Sequence, residues 1–148
     1  MNPLIKKAIL FSFFLALTAC IKNDFSQRNT LVPYVNNVNF PVYDSELINI
    51  IGEHKIIPGQ GYQGVIVFNI DGTNFRAFDL GCPYREPNKC NIPMQVDEAT
   101  GEMSCTGCGD DDIRFDQFRT GVTIGETDYY LREYYAYLEG EVVRITNF

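Results

Sequence analysis

Beyond residue 30 this chain carries no long segment with a helical period. Its apolar and aromatic residues come in short runs, each soon broken by Gly, Pro, Asn or Asp. Such spacing predicts an all-β domain of antiparallel strands, a sandwich or barrel. Val65-Ile-Val-Phe68 reads as a buried strand, with Gly59, Gly61 and Gly64 marking its approach. Asp71-Gly72 turns the chain, and Asn74-Phe-Arg-Ala-Phe78 alternates as the return strand. Val38–Phe40 and Leu47–Ile51 are shorter runs, split by Pro41 and Asp44-Ser45. Residues 81–91 read as loop because Pro83 and Pro87 exclude regular structure. Pro93–Val96 and Glu102–Ser104 flank Ala99-Thr-Gly101 as a hairpin, and Ile113–Phe118 and Val122–Ile124 are short strands. Tyr129–Leu138 and Val142–Ile145 flank Glu139-Gly140 as a closing hairpin, where tyrosine enrichment favours strand over helix. The nine Tyr and eleven Phe are read as core and sheet surface, since aromatic rings bury large areas and fit a pleated face.

The N-terminus reads as an address. Lys6 and Lys7 precede the apolar run Ala8–Leu17, which is too short to span a bilayer and has the form of a secretory signal. The ending Leu17-Thr18-Ala19-Cys20 resembles the bacterial lipobox, which implies lipidation of Cys20 and cleavage before it. Residues 1–19 are then a signal peptide, 20–30 a tether and 31–148 a single β domain. Multiple acyl chains on Cys20 would anchor the domain stably to a membrane of the bacterial cell envelope, the outer membrane being the expected one. The formal charge is −7, and loss of Lys6 and Lys7 leaves ten basic against nineteen acidic residues, −9. That sign excludes nucleic acid as an expected partner and a polybasic hold on lipid. An envelope protein is the partner class left open.

Four cysteines follow in a compartment that permits disulfides: Cys82, Cys90, Cys105 and Cys108. Cys105-Thr-Gly-Cys108-Gly109 is a tight turn that points two thiols one way, as a tetrahedral metal or a redox pair requires. Cys82 and Cys90 are spaced more widely than a zinc-finger knuckle. The four are expected to form one group of sulfurs. Ranked in order, it is a closed single-metal site such as zinc, two disulfides of undetermined pairing, or a cysteine-ligated 2Fe–2S cluster, with free thiols last.

Several of these residues carry a family resemblance. Ala77-Phe-Asp-Leu-Gly-Cys82-Pro-Tyr84, then Cys105-Thr-Gly-Cys108-Gly109, then Arg114-Phe-Asp116 and Thr120-Gly121 resemble a Rieske iron–sulfur domain over residues 60–148. That family carries Cys-x-His on one loop and Cys-x-x-His-Gly on a second. The resemblance implies an antiparallel β-sandwich with two Cys-bearing loops, and Leu131–Ile145 as its final strands. It matches Cys82 and Cys105 to the cysteine ligands, and implies that they lie side by side with sulfurs within about 4 Å. Tyr84 and Cys108 stand where the two histidines belong, and Asp110-Asp-Asp-Ile113 is an insertion. Cys90 is the spare thiol for a fourth ligand. An all-cysteine cluster would sit near about −400 mV rather than at the higher potential that two histidines give.

Other candidates take plainer readings. Glu53-His54-Lys55 is read as a solvated turn without a catalytic neighbour, and Asp110-Asp-Asp112 as a solvated loop that lacks the spacing of a calcium loop. No phosphate-binding loop or nucleophile elbow is present. The chain is therefore expected to be a structural or interaction module rather than an enzyme. An electron-transfer protein with an altered cluster is the alternative.

Overall fold

A computed structural model describes residues 28–109 and 112–147. The expected signal peptide, Cys20, most of the tether, Asp110 and Asp111 lie outside the described residues. The described chain is mostly antiparallel β with very little helix, built around a curled sheet. Among the described residues eleven strands form: β1 Asn39–Val42, β2 His54–Ile57, β3 Val65–Asn69, β4 Phe75–Asp79, β5 Gln95–Val96, β6 Met103–Ser104, β7 Arg114–Phe115, β8 Gly121–Ile124, β9 Thr127–Tyr130, β10 Glu133–Glu139 and β11 Val142–Thr146. The main sheet has six strands in the order β1-β11-β10-β4-β3-β2. A three-stranded sheet β5-β6-β7 and the two-stranded β8-β9 complete the architecture.

The hairpin β3–β4 is the centre of the fold. Its register pairs Val65 with Asp79 and Asn69 with Phe75. All five residues of β3 are buried, as expected of a strand covered on both faces. Alternation sorts its side chains. Val65, Val67, Phe75 and Ala77 pack into a first apolar cluster with Phe40, Leu47, Val143 and Ile145. Ile66, Phe68, Phe78 and Leu80 pack into a second with Met94, Met103, Phe115 and Leu131. All four paired cysteines belong to or pack against this second cluster. Arg76 ties the layers together: it forms a bidentate pair with Glu133, at 2.8 and 2.7 Å, and donates to the carbonyl of Gln117.

Four local expectations are corrected. Pro41 lies inside β1 rather than ending it, which an edge strand bonded only to β11 accommodates. Leu47–Ile51 does not add a strand, because Ser45–Asn49 form one helical turn (α1). The Asp44 carboxylate caps α1 by accepting from the Leu47 amide at 2.9 Å, and Leu47 is fully buried beneath it. Glu53-His54-Lys55 is not a solvated turn, since His54 opens β2 and pairs with Phe68. Tyr129–Leu138 is two strands, β9 and β10, that belong to different sheets. Leu131 causes the break by turning into the second cluster, while the Arg132 guanidinium donates to the Val32 carbonyl at 2.8 and 3.1 Å.

Candidate functional site

The cysteine site starts from Asp79, the last residue of β4. Strand alternation puts Asp79 on the face of Phe75 and Ala77, so a carboxylate enters the core and is fully buried. Four donors meet it. Tyr62 N–H (2.6 Å) and the Tyr134 hydroxyl (2.8 Å) donate to Oδ2, while Gln63 N–H (3.2 Å) and Gly81 N–H (2.8 Å) donate to Oδ1. Burial raises the Asp79 carboxyl above its ordinary value, against the opposing pull of these hydrogen bonds. Burial also raises the Tyr134 hydroxyl, and the Asp79 charge adds to that effect. This network fixes the turn at residues 60–64 and the exit of β4, from which Cys82 follows directly.

Gly61 makes the close approach possible. Its φ is +64°, and a Cβ there would meet the Asp79 carboxylate and lie 2.8 Å from the Tyr134 hydroxyl. Gly61→Ala is expected to cost about 2–4 kcal/mol, combining left-handed strain with overpacking. Gly59→Ala, which meets nothing within 4 Å, should cost only the backbone part. Urea unfolding of the two variants side by side checks this.

Past Cys82 the chain is held by backbone bonds. Leu31 N–H donates to the Pro83 carbonyl at 2.8 Å, and Lys89 and Cys90 N–H both donate to the Glu86 carbonyl. Asn91 Oδ1 accepts from the Tyr62 hydroxyl and Gln63 Nε2, each at 2.8 Å, so the residues that hold Asp79 also hold this segment. Opposite it, a 3-10 turn over Thr106–Cys108 closes with Cys108 N–H on the Cys105 carbonyl. Thr106 Oγ1 pins the turn to Gln95 Oε1 at 2.7 Å.

The two segments are joined by two disulfides. Cys82 pairs with Cys105 at a Cα separation of 5.8 Å, and Cys90 pairs with Cys108 at 5.3 Å. Both separations are ordinary for the bond. The bridges interlace in sequence, so each contributes one sulfur from each segment. Of the states open to the sequence, these two pairs at bonding distance fit the disulfide one, second in the expected order. Zinc or an iron–sulfur cluster would need these sulfurs as thiolates. Among the described residues no group of three or more His, Cys, Asp and Glu side chains is disposed to hold a metal.

Tyr84 packs against the second cluster, its ring centroid 6.2 Å from that of Phe115, with the Arg85 guanidinium 5.7 Å above the Tyr84 ring. The His54 ring lies 5.8 Å from the Phe68 ring and against Gly101. Among the described residues no helix is long and apolar enough to cross a membrane. The Asp79 network is the part of the site that sequence reasoning missed. Its signal was an acidic residue at a core-facing position of an alternating strand.

No family model, curated protein or solved structure matches this chain.

Proposed function

We propose that this chain is a lipid-anchored envelope protein whose Rieske-like β domain has exchanged its cluster for a disulfide staple, and that it works as a structural or interaction module. The observation that carries the reading is the crossed pairing of Cys82 with Cys105 and Cys90 with Cys108. Cys82 and Cys105 match the two cysteine ligands of the Rieske pattern, and they are bonded to each other. Tyr84 and Cys108, at the two histidine positions, pack on the same apolar cluster. A module built this way owes its rigid loops to covalent bonds, which an oxidising compartment maintains without a cofactor. The decisive experiment is the mass of the isolated protein before and after reduction, with metal and sulfide analysis of the same sample. The expected result is a native mass four hydrogens below the reduced chain, with neither metal nor sulfide. Two irons with sulfide and a brown colour would replace this reading with the electron-transfer alternative, which the gathering of four sulfurs in one place favours.

The anchor is tested separately. Cys20→Ser is expected to block processing or to move the protein out of the membrane fraction, because a single serine cannot carry the thioether-linked lipid. A variant still cleaved and still membrane-bound would refute the lipid anchor.

A further inference from the structure

The structure assigns the Cys90–Cys108 bridge as a thiol–disulfide exchange site, with Cys108 Sγ as the atom attacked by an external protein dithiol. The inference rests on the disulfide reading above and adds a reaction to it.

The two bridges differ in what covers them. Cys105 is 1% exposed and Cys82 5%, and both sit inside the second cluster with Leu80, Met103 and Phe115. Cys108 is instead half-buried at the last position of the 3-10 turn, packed against the cluster rather than inside it. Its bonding partner Cys90 is 7% exposed. A thiolate needs access to only one sulfur of a bridge, and the partner sulfur leaves. Cys108 offers that access.

The side of Cys108 toward Gly109 is open. Glycine flanks Cys108 on both sides, and even a methyl group added at Gly109 would meet only Arg85 Nη2, at 3.7 Å.

In the first step a thiolate of the external dithiol bonds to Cys108 Sγ, the S–S bond breaks, and Cys90 Sγ takes the electron pair and then a proton. In the second step the other thiolate of the dithiol attacks its own sulfur in the mixed disulfide, releasing Cys108. The external dithiol is oxidised to its disulfide, and this chain gains two thiols. Cys82–Cys105 and both apolar clusters stay in place, so the product is a folded dithiol.

The test uses the isolated full chain. Thiols are first counted without reductant, then dithiothreitol is added in steps, and alkylated cysteines are located by peptide mass. Cys90 and Cys108 are expected to label together, at least about tenfold faster than Cys82 and Cys105, with the far-ultraviolet circular dichroism unchanged. A protein dithiol of the Cys-x-x-Cys type that lacks its second cysteine should be trapped on Cys108. Opening of Cys82–Cys105 first, opening of both bridges together with loss of structure, or trapping on Cys90 would overturn the exchange site while leaving the disulfides intact. Four thiols present before any reductant would instead refute the disulfide reading itself.

Discussion

Replacing Cys82 and Cys105 together by alanine is expected to lower the melting temperature by about 10–15 °C. The bridge closes a 23-residue separation. Loop-closure entropy in the unfolded chain gives it a worth of about 3 kcal/mol, and a domain of this size loses roughly 3–5 °C per kcal/mol. Removing both cysteines avoids leaving a thiol that exchanges with Cys90–Cys108. The entropic part for the second bridge, across an 18-residue separation, is nearly the same. The two double variants should still differ. Cys105 is 1% exposed, so its truncation also removes packed sulfur from among Phe115 and Met103, whereas Cys108 loses little packing. Thermal unfolding of both double variants under oxidising conditions measures the difference. A drop of only a few degrees for Cys82→Ala/Cys105→Ala, or a larger one for the Cys90/Cys108 pair, would show that the buried bridge is not the main staple.

The sequence made much of this fold legible, because short turn-bounded runs leave a chain few options other than strands. Val65–Phe68 and its return strand were readable because both faces of β3 are covered, and an unbroken apolar run of that length fits nothing else as well. The hairpins at Ala99–Gly101 and Glu139-Gly140 were readable from turn chemistry. What escaped was set by tertiary contacts. α1 depends on the Asp44 cap and on a pocket for Leu47, and neither is visible in a five-residue run. The β9–β10 break depends on Leu131 having a different cluster to enter. The cysteines illustrate the limit well. Their gathering followed from spacing, but four sulfurs in one place satisfy a metal or two bonds equally, and the sequence does not contain the redox state. Asp79 was overlooked because its justification lies in four donors, and three of them come from residues 17, 16 and 55 positions away.

Asp79→Ala is expected to destabilise the domain by about 3–5 kcal/mol, the range for removing one side of a buried, hydrogen-bonded charge. Four donors would lose their acceptor at once, and each one left buried costs about 1–3 kcal/mol before the structure relaxes. The loss would spread to the cysteine segment, since Gly81 N–H is one of those donors and Tyr62 and Gln63 also hold Asn91. Asp79→Asn separates charge from shape. Its amide keeps one accepting oxygen but turns an NH2 group toward donors that need an acceptor. The pH dependence of the wild type against this variant then reports the carboxyl itself. Burial lifts the folded-state pKa of Asp79 above the ordinary carboxylate value, so the folded state holds this proton more tightly than the unfolded chain does. The resulting stabilisation is complete below the unfolded value, about 3.9, and is lost as pH rises through the folded one. The advantage of wild type over Asp79→Asn should therefore be largest in acid and shrink toward neutrality. Asp44, whose carboxyl is lowered chiefly by the Leu47 amide and by Lys55, works in the opposite sense, since its contribution is lost as pH falls. It is common to both proteins and cancels in their difference. Urea unfolding at several pH values between about 4 and 8 measures that difference, a window that starts just above the unfolded value. A difference that grows with pH would mean that the four donors outweigh burial, and that Asp79 enters the core as a carboxylate favoured by its site.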